Sequence, residues 1–340
     1  MIFLAHMTLK SLIKGIAYRV GGLGAVHHMR NRDTLSVLMF HRVIAPGADA
    51  WAGANPLFTL STGFFVRLLK FIKRHYNPVG LEAVAAARRG EKDLPPRALL
   101  ISFDDGWADN VEFAAPLLKQ AGLPAVFFVA TGAVKSGEAF WQEKLYAGAA
   151  TSGRYDGPRE IMQLVSQASA LTQDARDAIV ADHELTDATA LPQMMTPDDV
   201  ARLSQDPLFD FGTHGVSHTP FTEIEDPQGE LERSWSDLSS WCSPSVRSLS
   251  FPHGRSSPQI MQQALHSGYE LVFNSDQILN SDIGAPAFGR FEIRPPGTDP
   301  HSDDFGIFAP DDFDAGRIAA EMFLRPRSGV DAPPTSKALR

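Results

Sequence analysis

The sequence predicts an α/β protein, a single domain built as a barrel of parallel strands with helices outside it. Two observations carry that prediction. Seven short apolar runs recur along the 340 residues, most of them separated from the next by a helical pattern, and alternating strand and helix imply parallel pairing. Chemistry-bearing polar residues follow several of these runs, which gathers them on the rim where α/β barrels carry their sites.

The elements follow in order. Residues 34–40 read as the first buried strand, ending in His41-Arg42-Val43. After a loop rich in Ala, Gly and Pro, Ser61 or Thr62 caps a helix whose apolar face holds Phe65, Leu68, Leu69 and Ile72. Residues 99–103 are the second strand, and residues 110–121 a helix stopped by Gly122 and Pro124. Residues 125–131 are the third strand. The chain then turns helical and polar over about residues 138–195, an insertion whose Phe140-Trp141 start is placed to cover a site. Pro197 opens a helix at its first position. Strands over 209–213, 246–251, 270–273 and 289–294 complete the series, with helices over 228–241 and 258–267 between them. Beyond Pro310 the composition turns polar, so residues 311–340 read as a tail, partly disordered.

Composition narrows the class. A hydrophobic fraction of 44% with 21% charged residues suits a soluble globular protein whose core needs no staples. Cys242 is the single cysteine and can form no internal bridge. A net charge of −9 argues against a nucleic-acid partner. Residues 1–33 stand apart: Lys10, Lys14, Arg19, Arg30 and Arg32 lie among apolar residues, and Met7 is a second candidate start. The plainer reading is a helix packed on the domain. The other is a basic amphipathic segment touching a membrane surface peripherally. No run reaches the roughly 18 apolar residues of a spanning helix. The apolar start is too short for a secretory core, and the expectation is a cytoplasmic protein, membrane-associated if that segment docks.

Chemistry begins at Ser102-Phe103-Asp104-Asp105-Gly106-Trp107, where two adjacent carboxylates close an apolar strand. Burying both costs several kcal/mol unless a cation or hydrogen bonds compensate. The best cationic partner is a metal shared with His214 and His218, four apart after another short strand, the second aspartate then being free to act as a base. Alone, Asp-Asp-Gly is commonly a turn or helix cap, and His-x-x-x-His is weak. Together, at strand ends of one α/β domain, they make a site.

At this point the motifs resemble a family. Residues 102–106 are similar to the Thr/Ser-Phe-Asp-Asp-Gly signature of the polysaccharide deacetylases, also called the NodB-homology group or carbohydrate esterase family four. His214 and His218 resemble its second motif, residues 38–43 (Leu-Met-Phe-His-Arg-Val) its first-strand signature, and Ser250-Phe251-Pro252-His253-Gly254 its third. The likeness runs from about Leu35 to Arg294, in the family's order. It implies a deformed (β/α)7-type barrel that removes acetyl groups from an N-acetylated glycan or glycolipid with a divalent metal, Zn2+ first, with Co2+, Ni2+ or Fe2+ as substitutes. Asp105, His214 and His218 match the metal ligands and Asp104 the catalytic base. Phe251, Pro252 and His253 match the segment lining the acetyl pocket, and the His253 amide is a candidate oxyanion donor. Three protein ligands leave open positions, as catalytic zinc requires.

Four departures stand out. Gly215 replaces the Ser or Thr that often follows the first metal histidine, which removes a loop-bracing hydrogen bond. Ser250 stands where many members carry the arginine that orients the base, leaving Arg290 or Arg294 to supply it. His253 replaces a tyrosine. The late Leu-x-x-x-His motif is missing; His301 is a poor match, so His41 and His253 are the candidates for general acid. Trp107 reads either as a sugar platform or as packing, Asp109 as a helix cap, and Glu230 and Glu232 as a solvated helical face. Rival readings keep the metal site and change the chemistry: an amidase or O-acetyl esterase on a non-polymer substrate, or a non-haem iron oxygenase. From another class comes a carbohydrate-binding pseudoenzyme, against which the intact metal and base set argues.

Overall fold

The computed structural model describes residues 9–183, 192–298 and 311–328. Helices α1 (Leu9–Arg19) and α2 (Gly22–Arg30) precede the first barrel strand, β1 (Leu35–Phe40). Two short strands follow, β2 (Arg42–Ile44) and β3 (Thr59–Ser61), paired in parallel where the sequence had suggested only loop. Helix α3 (Thr62–His75) starts on a Ser61 cap, whose Oγ accepts the Phe64 N–H at 2.9 Å. After β4 (Asn77–Pro78) and α4 (Leu81–Arg88) come β5 (Ala98–Phe103), α5 (Ala115–Ala121) and β6 (Ala125–Val129). Helix α6 (Thr131–Ser136) follows, and α7 (Trp141–Thr151), α8 (Pro158–Ser169) and α9 (Gln173–Asp182) make up the helical excursion. Then α10 (Pro197–Leu203), β7 (Phe209–Thr213), α11 (Pro227–Trp241), β8 (Ser248–Ser250), α12 (Pro258–His266) and β9 (Leu271–Phe273) bring the chain round.

The sheet order is β1-β5-β6-β7-β8-β9, every pairing parallel, with β4 alongside the start of β5. Strands β5, β6 and β9 are buried along their whole length, which is why these runs are largely apolar on both faces rather than alternating. The expected last strand, residues 289–294, is not a regular strand. Phe288 bridges to Phe273 of β9, and Phe291 to Leu38 of β1, its N–H donating to Val37 O at 3.0 Å. Pro295 and Pro296 end the segment, so pairing stops after these two bridges. The curled sheet is thereby closed across the gap as a deformed (β/α)7 barrel.

The tail expectation needs correcting within the described residues. Residues 315–323 form α13 (Ala315–Phe323), whose Ile318, Ala319, Met322 and Phe323 are buried. Helix α1 crosses it so closely that a Cβ on Gly316 would lie 2.6 Å from the Gly15 Cα. Polar composition hid an amphipathic helix. His301 and the last dozen residues lie outside the described residues.

His27 of α2 joins the N-terminal helices to α13, its ring stacked 4.0 Å from that of Phe323. Its Nε2–H donates to His75 O (3.0 Å) and its Nδ1 accepts from Asn31 Nδ2 (3.1 Å), so both ring nitrogens are committed in the neutral form. Burial, with Arg97 nearby, pulls its pKa down to about 4 from 6.5. A lowered histidine pKa stabilises the fold above the unfolded value of 6.5, and that contribution is lost as pH falls through the folded value. His27 alone is worth on the order of 3 kcal/mol between pH 7 and pH 4. Thermal melts should therefore fall steeply over that range, and His27→Gln should flatten the decline. Parallel pH profiles for the two proteins would refute this coupling.

Candidate metal centre and active site

The site lies where β1, β5, β7 and β8 end. At the end of β5, the Asp104 N–H donates to Phe40 O at 2.9 Å, and this seats the two carboxylates beside the end of β1. Asp105 then enters the left-handed region (φ 79°), followed by Gly106 (φ 93°), where a Cβ would come within 3.1 Å of Val134. That reversal turns Asp105 towards β7.

Asp105 Oδ1 stands 3.5 Å from His214 Nε2 and 3.2 Å from His218 Nε2. It is buried and has no hydrogen-bond partner. The three ligand atoms lie within 4.8 Å of one another, the sole such His/Cys/Asp/Glu cluster among the described residues. His214 Nδ1–H donates to Ser250 O at 2.8 Å, which leaves the Nε2 lone pair facing Asp105. Burial first, then the neighbouring His218, lowers the His214 pKa to about 4, keeping the imidazole neutral and fit to ligate. The orphaned carboxylate oxygen and the aimed lone pair suit a divalent cation.

Trp107 is buried, not a sugar platform. Its Nε1–H donates to Asp105 Oδ2 at 2.8 Å, so it fixes which oxygen Asp105 turns to the histidines. The Arg42 guanidinium lies over its ring at 4.8 Å and pairs with Asp109 (2.8 Å) and Glu143 (3.7 Å). Asp109 makes no side-chain cap at the helix it precedes; its oxygens take Arg42 and the Val43 N–H instead. Burial raises both the Asp109 and Glu143 carboxyls, and one guanidinium between two acids offsets this only in part. Phe140, at the start of the insertion, stacks on the His218 ring at 4.0 Å, and so the insertion does cover the site.

The second aspartate is held differently. Arg290, 1% exposed, grips Asp104 with two parallel bonds, NH1 to Oδ1 and NH2 to Oδ2, each 2.7 Å. Its NH2 also donates to Ser250 Oγ (2.7 Å), and that hydroxyl reaches Asp104 Oδ2 at 3.2 Å. Burial alone would raise Asp104, but Arg290 and the nearby histidines outweigh it and hold the carboxyl below its ordinary range. The small Ser250 accommodates an arginine that arrives from the closing segment rather than from β8. Arg294 does not reach the base: its guanidinium pairs with Glu292.

Glu292 also stands 3.5 Å from His41 Nδ1, giving that imidazole a carboxylate partner beside the end of β5. His253 is exposed at the mouth, its ring 4.8 Å from that of His218. Pro252 is buried under the same turn, whereas the Phe251 ring faces Phe221 at 5.3 Å and is fully enclosed, away from any substrate.

Glu230 is the residue that pattern reading placed wrongly. Rather than facing solvent, it is buried, and its Oε1 accepts from Val216 N, Ser217 N and Ser217 Oγ, each at 2.8 Å. This carboxylate braces the loop between the two histidines, the task left open by Gly215, whose φ of 74° suits glycine. The signal was available only as an acid at an apolar register of α11.

A family model described as polysaccharide deacetylase matches residues 91–272. Among solved structures, the Streptococcus pyogenes deacetylase PplD in complex with acetate is 18% identical, with a TM-score of 0.56 over 79% of this chain and 96% of that one. IcaB from Ammonifex degensii is 19% identical, TM-score 0.53, over 78% and 94%. A de-N-acetylase from Aggregatibacter actinomycetemcomitans gives 19% and 0.53 over 77% and 95%. At such identities these likenesses show the fold. No curated protein matches the chain.

The geometry predicts that chelator-stripped protein binds one Zn2+ or Co2+ per chain and that Asp105→Asn abolishes this. Glu230→Ala should weaken binding by about 10–100-fold, the usual effect of removing a group that positions a ligand. Glu230→Gln, which still accepts from the amides, should lose less. Competition against a chromogenic chelator reads all three, and unchanged affinity in a folded Glu230→Ala protein would remove the brace from the site.

Proposed function

Because the chain belongs to the polysaccharide deacetylase family, with the family model spanning residues 91–272, we propose that it is a metal-dependent hydrolase removing acetyl groups from N-acetylated sugars of a glycan. The observation that carries this reading is the pairing of two differently treated carboxylates. Asp105 presents an unpartnered oxygen to two histidines, while Asp104 is clamped and kept ionised by Arg290. One is built to ligate, the other to take a proton.

In this proposal Asp105 Oδ1, His214 Nε2 and His218 Nε2 hold a divalent ion, Zn2+ first. When bound, that ion lowers the pKa of water towards about 7 and polarises the amide carbonyl. Asp104 accepts the proton of the water that attacks the acetyl carbon. The fixed Arg290 clamp keeps the receiving oxygen in place and sets it to act over a wide pH range. The His253 amide, at the turn above Pro252, donates to the oxyanion. As the C–N bond breaks, His41, oriented by Glu292, delivers a proton to the departing sugar nitrogen; acetate and the free amine result. His253 at the mouth is left to contact the sugar.

Acetate release from N-acetylglucosamine oligomers tests this. Release should vanish with chelator and return with Zn2+ or Co2+. Asp104→Asn and His41→Gln should each cost about 10²–10⁴-fold in kcat with metal still bound, the range expected of a general base or acid. A folded, metal-loaded protein that releases no acetate from any acetylated glycan would sink the reading.

A further inference from the structure

Six large apolar side chains stand exposed among the described residues, and four of them fall in α1, α2 and the turn between: Ile13 (57%), Ile16 (52%), Val20 (76%) and Met29 (77%). Ile13, Ile16 and Val20 recur at the three- and four-residue spacing of one helical face. This face is not unfinished packing. The opposite side of α1 is already docked: Gly15 lies against Gly316, Ala17 and Tyr18 pack on the core, and Tyr18 OH bonds His75 Nε2 at 2.9 Å. Clustered exposed apolar groups of this kind mark an interaction surface.

Charge identifies the partner. Residues 1–32 hold five Lys/Arg and no Asp or Glu, although the whole chain carries −9; Arg30 is engaged with Phe323 O and Arg325 O and Arg32 lies beside Asp33, so Lys14 and Arg19 carry the charge of this face. Lys14 and the exposed Arg19 stand on the same helix as the apolar row. An apolar row set among cations on a helix surface suits a bilayer interface, where side chains enter the headgroup layer and cations meet lipid phosphates. No helix among the described residues is long and apolar enough to cross a membrane. We propose that α1 and α2 form a peripheral docking surface for an anionic lipid bilayer.

The placement has a consequence for substrate access. His28 of α2 bonds Arg97 at 2.8 Å, just before β5 begins, whereas the Asp/His site lies where the strands finish. Docking through α2 therefore leaves the catalytic rim open to water, turned away from the lipid. Glycan reached in this way extends from the membrane rather than lying in its headgroup layer.

Co-sedimentation of the full chain with phosphatidylcholine vesicles, with and without phosphatidylglycerol, tests the proposal. Sedimentation should require phosphatidylglycerol and decline with salt. An Ile16→Ser, Val20→Ser, Met29→Ser triple variant and a Lys14→Gln, Arg19→Gln double variant should each weaken it by about tenfold or more. Both should keep wild-type activity on soluble acetylated oligomers, because the substituted side chains are remote from the rim. No sedimentation of the wild type, or sedimentation unchanged in both variants, would overturn the proposal. So would a dimer that the triple variant dissolves while vesicles capture nothing, since the face would then join two copies of the chain. Should the triple variant unfold, the charge variant decides alone.

Discussion

The clamp between Arg290 and Asp104 is the contact on which the remaining architecture depends. It joins the end of β5 to a segment with almost no regular pairing of its own, so it closes the barrel and sets the base in one interaction. Both partners are buried, Arg290 at 1% and Asp104 at 2% exposure. A pair so desolvated is costly to break, about 3–5 kcal/mol when one partner is removed, because the other charge is left behind. Ser102, Ser250 and Asn274 O satisfy further guanidinium hydrogens, which ties β5, β8 and the stretch after β9 to one side chain. Closure and catalysis thus share a single group. That is an economical solution for a strand too short and too proline-bounded to hold itself.

Local backbone strain is concentrated around the same rim. Among the described residues four non-glycine residues have positive φ, and three of them, Asp105, His218 and His253, belong to the site. Such conformations cost of order 1–3 kcal/mol each and persist only where surroundings over-determine them. Here the restraints are identifiable. Trp107 and the Met195 N–H bond to Gly106 O hold the Asp105 turn, while Glu230 and the Thr131 and Gly132 amides hold the loop from Gly215 to His218. The insertion contributes at both places, since Met194 bridges Trp107 and Phe140 covers His218.

What could be read from sequence was whatever depends on neighbours along the chain. Apolar runs named the strands, and Asp104, Asp105, His214 and His218 stood out because their spacing is local. Arg290 was visible only as one of two candidates, because nothing in a one-dimensional pattern says which of two arginines on a closing segment points inward. Glu230 was misassigned for the same reason: its partners are amides 13 and 14 residues away, and an acid on a helix reads as solvated unless its buried register is noticed. Trp107 stayed open between two readings and Asp109 was taken for a helix cap because Arg42 and Val43, which pack on the one and bond the other, reach them only once β1 and β5 are side by side. The pairing of β2 with β3 and the burial of α13 were likewise set by tertiary contact rather than propensity.

The buried layer of Arg42, Asp109 and Glu143 connects the strand rim to the helical excursion. One cation faces two carboxylates, and Glu143 Oε2 has no hydrogen-bond partner. An arrangement with a surplus acid is poor at stabilising a fold, since Asn55, donating to Glu143 Oε1 at 3.3 Å, satisfies only one oxygen of a desolvated carboxylate. Its value lies in position. Arg42 packs on Trp107, which fixes Asp105, and Glu143 sits one helical turn from Phe140, which lies on His218. Two of the three ligands are therefore oriented through groups that the excursion completes. On this argument helices α7 to α9 are part of the site rather than an ornament on the barrel, and the geometry at Asp105 and His218 rests on their staying docked.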